Sequence, residues 1–576
     1  MELTAKPEAS NPKPETRTRR AQDILTFVVL AVGVVFLNVL AAQLFFRLDL
    51  TEDKRYSIAP ATKQVLKQLP DVVYVEVYLE GELPPGFRRL QSAIRETLEE
   101  FRVYGGANIQ YKFVDPGANA SAQARNELYQ QLAQKGLQPT NLHANENGQQ
   151  VERIIFPGAL VRFGEKEEPV LLLKGNQSAS PEQRLNQSVE GVEYELVAAI
   201  RRLTQTHRRK IAFLEGHGEL DVPQVADLMG ALQRYYDVER VNLLDGERLD
   251  TTIDAVVIAR PTLPFQEASL WKLDQFVLRG GRVVLCYDPL PVELDSVGEK
   301  GTFAVPIKTD LDPLLFRWGA RVNPDLLQDV VAQSIPMVTG IVGNQSQTQL
   351  MPWRFFPIIN TFSKHPIVRN LDVVSARFVS SIDTVAAPGI RKTPLLMTSR
   401  YTRILPAPVR VNFNEARLQP NPRVFDRGQQ MIGVLLEGSF TSLFQNRLIA
   451  GSPLRKEFLE QSRVPGRVVI FSDGDLPRNG INQKTNRPET LGYDKFVGVQ
   501  FANRELLTNT IDYLLDQDDL LAVRGKEVVI RPLDRPRVQA ERPGWQLLNT
   551  VVPLAMLIGA GVGRWWWRKR KYARVG

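Results

Sequence analysis

Two runs, KIAFLEGHGELD (210–221) and GRVVLCYDP (281–289), frame the part of the chain whose periodicity decides its fold. Between them lie a helical period over 222–235, the strands YDVERVNL (236–243) and AVVIAR (255–260), and a second helical period over 266–279. Short apolar strands alternating with amphipathic helices predict a parallel sheet covered on both faces. Further strands are expected at 374–379, 394–398, 432–437 and 466–472, and a helix at 503–516. The Pro-rich span from about 290 to 465 offers few helical periods, so it reads as an irregular insertion in, or extension of, this α/β domain. No internal repeat of roughly 20–50 residues is present.

Upstream, LDLTEDKRYSIAPATKQVLKQL (48–69) reads as a connector leading into a helix with Ser57 as its N-cap and Pro60 in its first turn. VVYVEVYL (72–79) reads as a strand, 87–104 as a helix with Leu90, Ile94, Leu98 and Phe101 on one face, and NIQYKFVD (108–115) as a strand. A helix near 122–135, strands near 151–163 and 169–174 and a helix at 190–203 follow. This β-α-β-α-β-β-α order has the outline of a thioredoxin-like fold. Redox chemistry is excluded from it, because the only cysteine, Cys286, lies far outside the segment and inside an apolar strand, where it reads as a small core residue.

The chain has 576 residues, 43% hydrophobic and 24% charged, with a formal net charge of +8. A single cysteine excludes an intramolecular disulfide and any multi-thiolate metal centre. Residues 24–46, ILTFVVLAVGVVFLNVLAAQLFF, carry no charge, and at about 1.5 Å per residue they match a bilayer core of roughly 30 Å. A second run, WQLLNTVVPLAMLIGAGVGRWWW (545–567), has tryptophans at both ends and is followed by Arg568, Lys569, Arg570 and Lys571, the pattern of an interfacial belt beside a basic tail. Setting aside both termini and Arg564, residues 47–544 hold 61 basic and 60 acidic side chains. The excess positive charge thus sits beside the apolar runs, which argues against a nucleic-acid partner and, by the positive-inside rule, places both termini in the cytoplasm. Arg531, Arg535, Arg537 and Arg542 oppose that orientation, but long loops translocate largely regardless of charge.

In an open α/β sheet, ligands bind beyond the carboxyl ends of the strands. Three polar clusters fall there: Glu215-Gly216-His217-Gly218-Glu219, Asp288-Pro289, and Ser472-Asp473-Gly474-Asp475. His217, Glu219, Asp288, Asp473 and Asp475 are therefore the candidate ligand-binding residues, with the makings of a carboxylate-rich cleft for a metal or a sugar-like ligand. The same residues serve equally as tight turns and helix caps, and with four histidines in the chain (143, 207, 217, 365) a zinc hydrolase would have to lean on carboxylates. No catalytic residue, metal site or cofactor is assigned. GVLLEGS (433–439) lacks the lysine of a phosphate-binding loop, and its Glu437-Gly438-Ser439 reads as a strand end, so the chain is not itself a P-loop ATPase. Asn119, Asn176, Asn186 and Asn344 head Asn-x-Ser sequons that matter only in a eukaryotic secretory lumen.

DLTEDKRYSIAPAT after the first apolar run, FLEGHGELD (213–221), LDQFVLRGGRVVLCYDP (273–289), LDPLLFRWGARVNPDLLQD (311–329), HPIVRNLD (365–372), VLLEGSFTSLF (434–444) and FSDGDL (471–476) together resemble the GldG-like auxiliary component of gliding-motility-type ABC transporters. The likeness runs in order from 48 to 571. It implies two transmembrane helices flanking a thioredoxin-like domain and a larger domain resembling class I glutamine amidotransferases or flavodoxins, anchored in the bacterial inner membrane. It also implies a separate permease and cytoplasmic ATPase as partners, and supplies no catalytic residues. The expected organisation is a cytoplasmic tail (1–23), a membrane helix (24–46), a connector (47–70), a thioredoxin-like domain (71–205), the α/β domain (206–530), a linker (531–544), a membrane helix (545–567) and a basic tail (568–576). Two functional classes follow: a non-enzymatic transporter subunit contacting substrate, an envelope component or a glycan, or a membrane-tethered α/β hydrolase or carbohydrate-binding module built on His217, Glu219, Asp288 and Asp473.

Overall fold

The computed structural model describes residues 24–36, 38, 57–118, 121–146, 149–173, 180–205, 208–246, 248–298, 300–342, 345–445, 458–516, 520–523 and 535–572. It divides into one unit up to Ser57 and a second from Ile58 onward. In the first unit, Ile24–Phe36 is an apolar helix with exposed side chains; the rest of the 24–46 run, apart from residue 38, lies outside the described residues.

The second unit begins with helix Pro60–Lys67. Ser57 does not cap it. The N-cap is Ala59, and the carboxylate of Glu193, from helix Pro181–Thr204, accepts from the Ala59 amide at 2.6 Å and from the Thr62 hydroxyl at 2.7 Å. An anion supplied through space to the positive end of a helix replaces the local cap. Replacing Glu193 by Ala is expected to cost about 1–2 kcal/mol and to speed amide exchange across 60–67, whereas Glu193→Gln, which keeps an acceptor, should lose less.

A four-stranded sheet follows: β1 (Val73–Val77) and β2 (Ile109–Phe113), then a separate hairpin of β3 (Thr140–Glu146) and β4 (Gln149–Ile155), then β5 (Gly158–Phe163) and β6 (Lys166–Leu171). Its order is β2-β1-β5-β6, with β1 parallel to β2 and antiparallel to β5. The strand expected at 151–163 is thus two strands. Leu90, Ile94, Leu98 and Phe101 of helix Pro85–Gly105 bury their shared face in this core, as their spacing predicts. The sequon at Asn186 lies in helix Pro181–Thr204, where the Asn186 side chain accepts from Arg89; Asn119, Asn176 and Asn344 lie outside the described residues.

The larger sheet has eight strands. It is built from β7 (Lys210–Glu215), β8 (Asp237–Asn242), β9 (Ile253–Ala259), β10 (Arg282–Cys286), β11 (Ile390–Met397), β12 (Met431–Gly438), β13 (Gly466–Phe471) and a two-residue edge piece, Thr361–Phe362. From one edge the order is β8-β7-β9-β10-β13-β12-β11 and then the edge piece. The first five run parallel, in the 2-1-3-4-5 order of a doubly wound sheet, and the last three extend it with antiparallel pairings. Alternate residues separate onto two faces: Ile211, Phe213, Val257, Cys286 and Val469 pack beneath helices Val222–Gln233 and Asn503–Leu515, and Ala212, Leu214, Val256, Leu285 and Val468 beneath helix Glu267–Leu278.

The insertion is largely β structure rather than irregular. A long hairpin pairs Ala332–Val342 with Gln345–Ile359, short strands pair 302–304 with 409–411, 320–322 with 382–384 and 325–329 with 402–406, and Trp353, Phe355, Phe356 and Phe378 form its aromatic core. The strand expected at 374–379 shrinks to Val374–Ser375. Beyond helix Asn503–Leu515, the short helix Leu520–Val523 returns to the first domain, where Leu520 and Val523 join its core. The final helix, Arg535–Tyr572, is continuous, so residues 535–544, expected as a linker, are helical.

Candidate functional site

Beyond the carboxyl ends of β9, β10 and β13, three polypeptide turns meet around one guanidinium. Arg260 follows β9, its backbone in the left-handed region at φ 57° and its side chain buried. Its amide donates to the Cys286 carbonyl, which prolongs the parallel pairing by one residue and holds the strained backbone in place. Its Nε lies 3.3 Å from Asp288 Oδ2 and 3.4 Å from Asp475 Oδ1, and its Nη1 donates to Glu293 at 2.6 Å; Nη2 is buried with no hydrogen-bond partner.

The carboxylates are held as firmly as the cation. Asp288 Oδ1 accepts from the Gly474 amide at 2.6 Å, and Asp473 accepts from the amides of Arg377 and Asp475, each at 2.9 Å. Gly474 is required by close approach: a Cβ there would stand 2.6 Å from both Arg260 Cγ and Asp288 Oδ2. Burial, with repulsion from Asp475, pushes the Asp288 carboxyl up to about 7 against the pull of Arg260. Burial, with repulsion from Asp288 and Asp475, raises Asp473 well above the usual carboxylate range. Both carboxyls therefore give up their protons at a higher pH than a free aspartate does.

Asp288, Asp473 and Asp475 thus come together. His217 and Glu219 are engaged elsewhere. The His217 ring stacks on Phe265 at 3.9 Å between centroids and meets Ser269 Oγ at 3.1 Å through Nε2, while its carbonyl accepts from the amides of Thr262 and Leu263. Glu219 accepts from the His217 amide at 2.7 Å, and its Oε1 stands 3.7 Å from His217 Nδ1 without a hydrogen bond. Gly216 and Gly218 both take positive φ, and Asp221 caps helix Val222–Gln233 in a reciprocal box with Gln224, so this loop is a turn and a helix entry. It bonds across to the end of β9, Leu220 donating to the Ala259 carbonyl, at the place where the strand order reverses and a doubly wound sheet ordinarily receives its ligand.

The open space lies to one side, against the insertion. A cavity of about 560 Å³ is walled by Asp473, Asp475, Arg377, Arg478, Phe356 and Tyr493, among others. Arg377 lies over the Phe356 ring, its guanidinium carbon 5.2 Å from the centroid, and Arg478 bridges Asp475 at 3.0 Å and Glu293 at 3.5 Å. Asp288, His217 and Glu219 are not part of its wall. Among the described residues, no three His, Cys, Asp or Glu side chains stand together as metal ligands. The arrangement can offer a ligand aromatic faces, amides and opposed charges.

Arg260, Arg377, Arg478 and Glu293 escape a sequence reading. Only Arg260 left a signal, as a cation closing the otherwise apolar run AVVIAR. Cys286 is fully buried in the sheet, the core position its apolar strand predicts.

Residues 208–510 match the family model described as an ABC-type uncharacterized transport system, and residues 52–162 match a domain of unknown function, DUF7088. An uncharacterized protein of Borreliella burgdorferi is 18% identical over 515 residues, which span 88% of this chain and 89% of that relative. Among solved structures, the mmIFT52 N-terminal domain aligns at 12% identity and a TM-score of 0.30, over 54% of this chain and 98% of its own. A ThuA-like protein from Parabacteroides merdae aligns at 12% identity and a TM-score of 0.25, over 57% and 94%. Neither superposition is close enough to carry a structural argument.

Proposed function

Because the chain belongs to the family described as an ABC-type uncharacterized transport system, where its role is auxiliary, we propose that it is a membrane-anchored, non-enzymatic subunit of the GldG-like kind. It works beside a separate permease and ATPase, with both termini cytoplasmic and the two large domains outside. The observation that carries this reading is helix Glu541–Arg570: thirty residues holding an 18-residue apolar window, none of which is covered by protein. An uncovered apolar helix of that length is stable in lipid and costly in water.

The strand order β2-β1-β5-β6 supports a thioredoxin-like reading of the first domain, and the 2-1-3-4-5 order of the parallel strands a flavodoxin-like reading of the second. The bonding at the sheet ends supports a non-catalytic role. Asp288 and Asp473 are spent on backbone amides and a buried arginine, and His217 faces Ser269 and Phe265. A binding role for the cavity, with an envelope glycan as occupant, is favoured by the pairing of Phe356 and Tyr493 with acidic and basic side chains on its wall.

Affinity purification of the tagged full chain from native membranes in a mild detergent, followed by mass spectrometry, tests the proposal. A permease and an ATPase of the ABC type are expected to co-purify. Recovery of neither would sink it.

A further inference from the structure

We infer that the first domain is the membrane-facing end of the protein and that the cavity beside Asp473 and Asp475 opens on the opposite side, away from the bilayer. The inference rests on the reading of the apolar segments as membrane anchors.

The α/β domain is joined to the rest of the chain at two places, both on the amino edge of its large sheet. The chain enters from helix Pro181–Thr204 at the start of β7, where Asp254 accepts from the Lys210 amide at 2.9 Å and pairs with Arg209 at 2.6 Å. It leaves at the end of helix Asn503–Leu515. There the Leu514 carbonyl accepts from Arg282 Nε at 3.2 Å, and the carbonyls of Tyr513 and Asp516 accept from Arg467 Nη1 at 2.8 and 3.2 Å. Arg282 opens β10 and pairs with Arg467 near the start of β13. Asp288 and Asp473 lie beyond the far ends of those same two strands. A five-residue strand places the edges about 17 Å apart.

The exit does not run straight on to the C-terminal helix. Leu520 and Val523 are first buried in the core of the first domain, packed against helices Pro60–Lys67 and Pro181–Thr204. Helix Pro60–Lys67 is the first helix described after the N-terminal apolar run, and Leu520–Val523 the last before the C-terminal one. The described elements nearest the apolar segments in sequence therefore lie side by side on the first domain.

The full chain, reconstituted in vesicles of phosphatidylcholine and phosphatidylglycerol doped with an acceptor-labelled lipid, tests this placement by energy transfer. Cys286 is fully buried, so one added cysteine takes the donor dye. Gln68→Cys marks the first domain and Lys495→Cys the rim of the cavity; both positions are exposed. The expected result is several-fold quenching of the donor at 68 and little at 495. Equal quenching, or stronger quenching at 495, in chains that float with the vesicles overturns the placement alone. Failure of the chain to float with vesicles overturns the anchoring, and the placement with it.

Discussion

Arg260→Met is expected to remove about 3–5 kcal/mol from the stability of the α/β domain at pH 8, and much less at pH 5. The wild-type guanidinium is the shared countercharge of Asp288, Asp475 and Glu293, and its own proton is held well above the usual arginine range by Asp475, Asp288 and Glu293 against the cost of burial. Removing it leaves carboxylates buried beside one another. They must then take up protons or the domain must open. Asp288 sits at about 7 in the folded protein against about 3.9 in an unfolded chain. Between about pH 4 and pH 7 the native state therefore keeps a proton that the unfolded state has lost. The stability tied to that proton is complete below about pH 4 and falls as the pH climbs through 7. Taking away Arg260 raises Asp288 further, so the penalty grows with pH. Thermal melts of the detergent-solubilised chain at pH 5 and pH 8 should show the variant's deficit widening with pH, and adding Asp288→Asn should recover part of it. A pH-independent deficit below about 1 kcal/mol would show that the arginine is not the countercharge.

Gly438→Ala should be comparably severe, about 3 kcal/mol or more. Gly438 ends β12 at φ 141°, and a Cβ there would stand 2.0 Å from the carbonyl oxygen of Gly389. The obstacle is backbone rather than a flexible side chain, and Gly438 pairs with both Ile390 and Gly466, so relief requires separating three strands. Strain in a forbidden region and overpacking each cost about 1–3 kcal/mol. The control is Gly298→Ala, an exposed position with open space around it and no positive φ, expected to be neutral in the same melts. Equal melting of the two variants would refute the account.

The core faces were legible because burial imposes a period. Leu90, Ile94, Leu98 and Phe101 are spaced for one side of a helix and all lie fully buried. Asp288 and Asp473 were legible for a topological reason, since strands of one direction put their following residues on one edge. The rule locates a residue on the edge without saying what it bonds to. His217 obeys the rule and still folds under Phe265, away from the other carboxylate cluster. The hairpin of 332–359 was hidden because Pro336, Pro352 and Pro357 and two register shifts break the alternation that marks a strand. The cap that Glu193 places on helix Pro60–Lys67, and the return of Leu520 and Val523 to the first domain, join residues remote in sequence. Such pairings leave no local pattern.

Both described chain connections of the α/β domain, at the start of β7 and the end of helix Asn503–Leu515, lie on the amino edge of the large sheet, while Asp473 and Asp475 stand at the other edge. A pull on anything bound at that far edge would be transmitted lengthwise down β7, β10 and β13. Hydrogen bonds between neighbouring strands would then be loaded sideways, in shear, and would have to yield together rather than unzip one by one. Tension applied between that far edge and the two attachments would therefore run along the strands, a direction set by where the attachments lie.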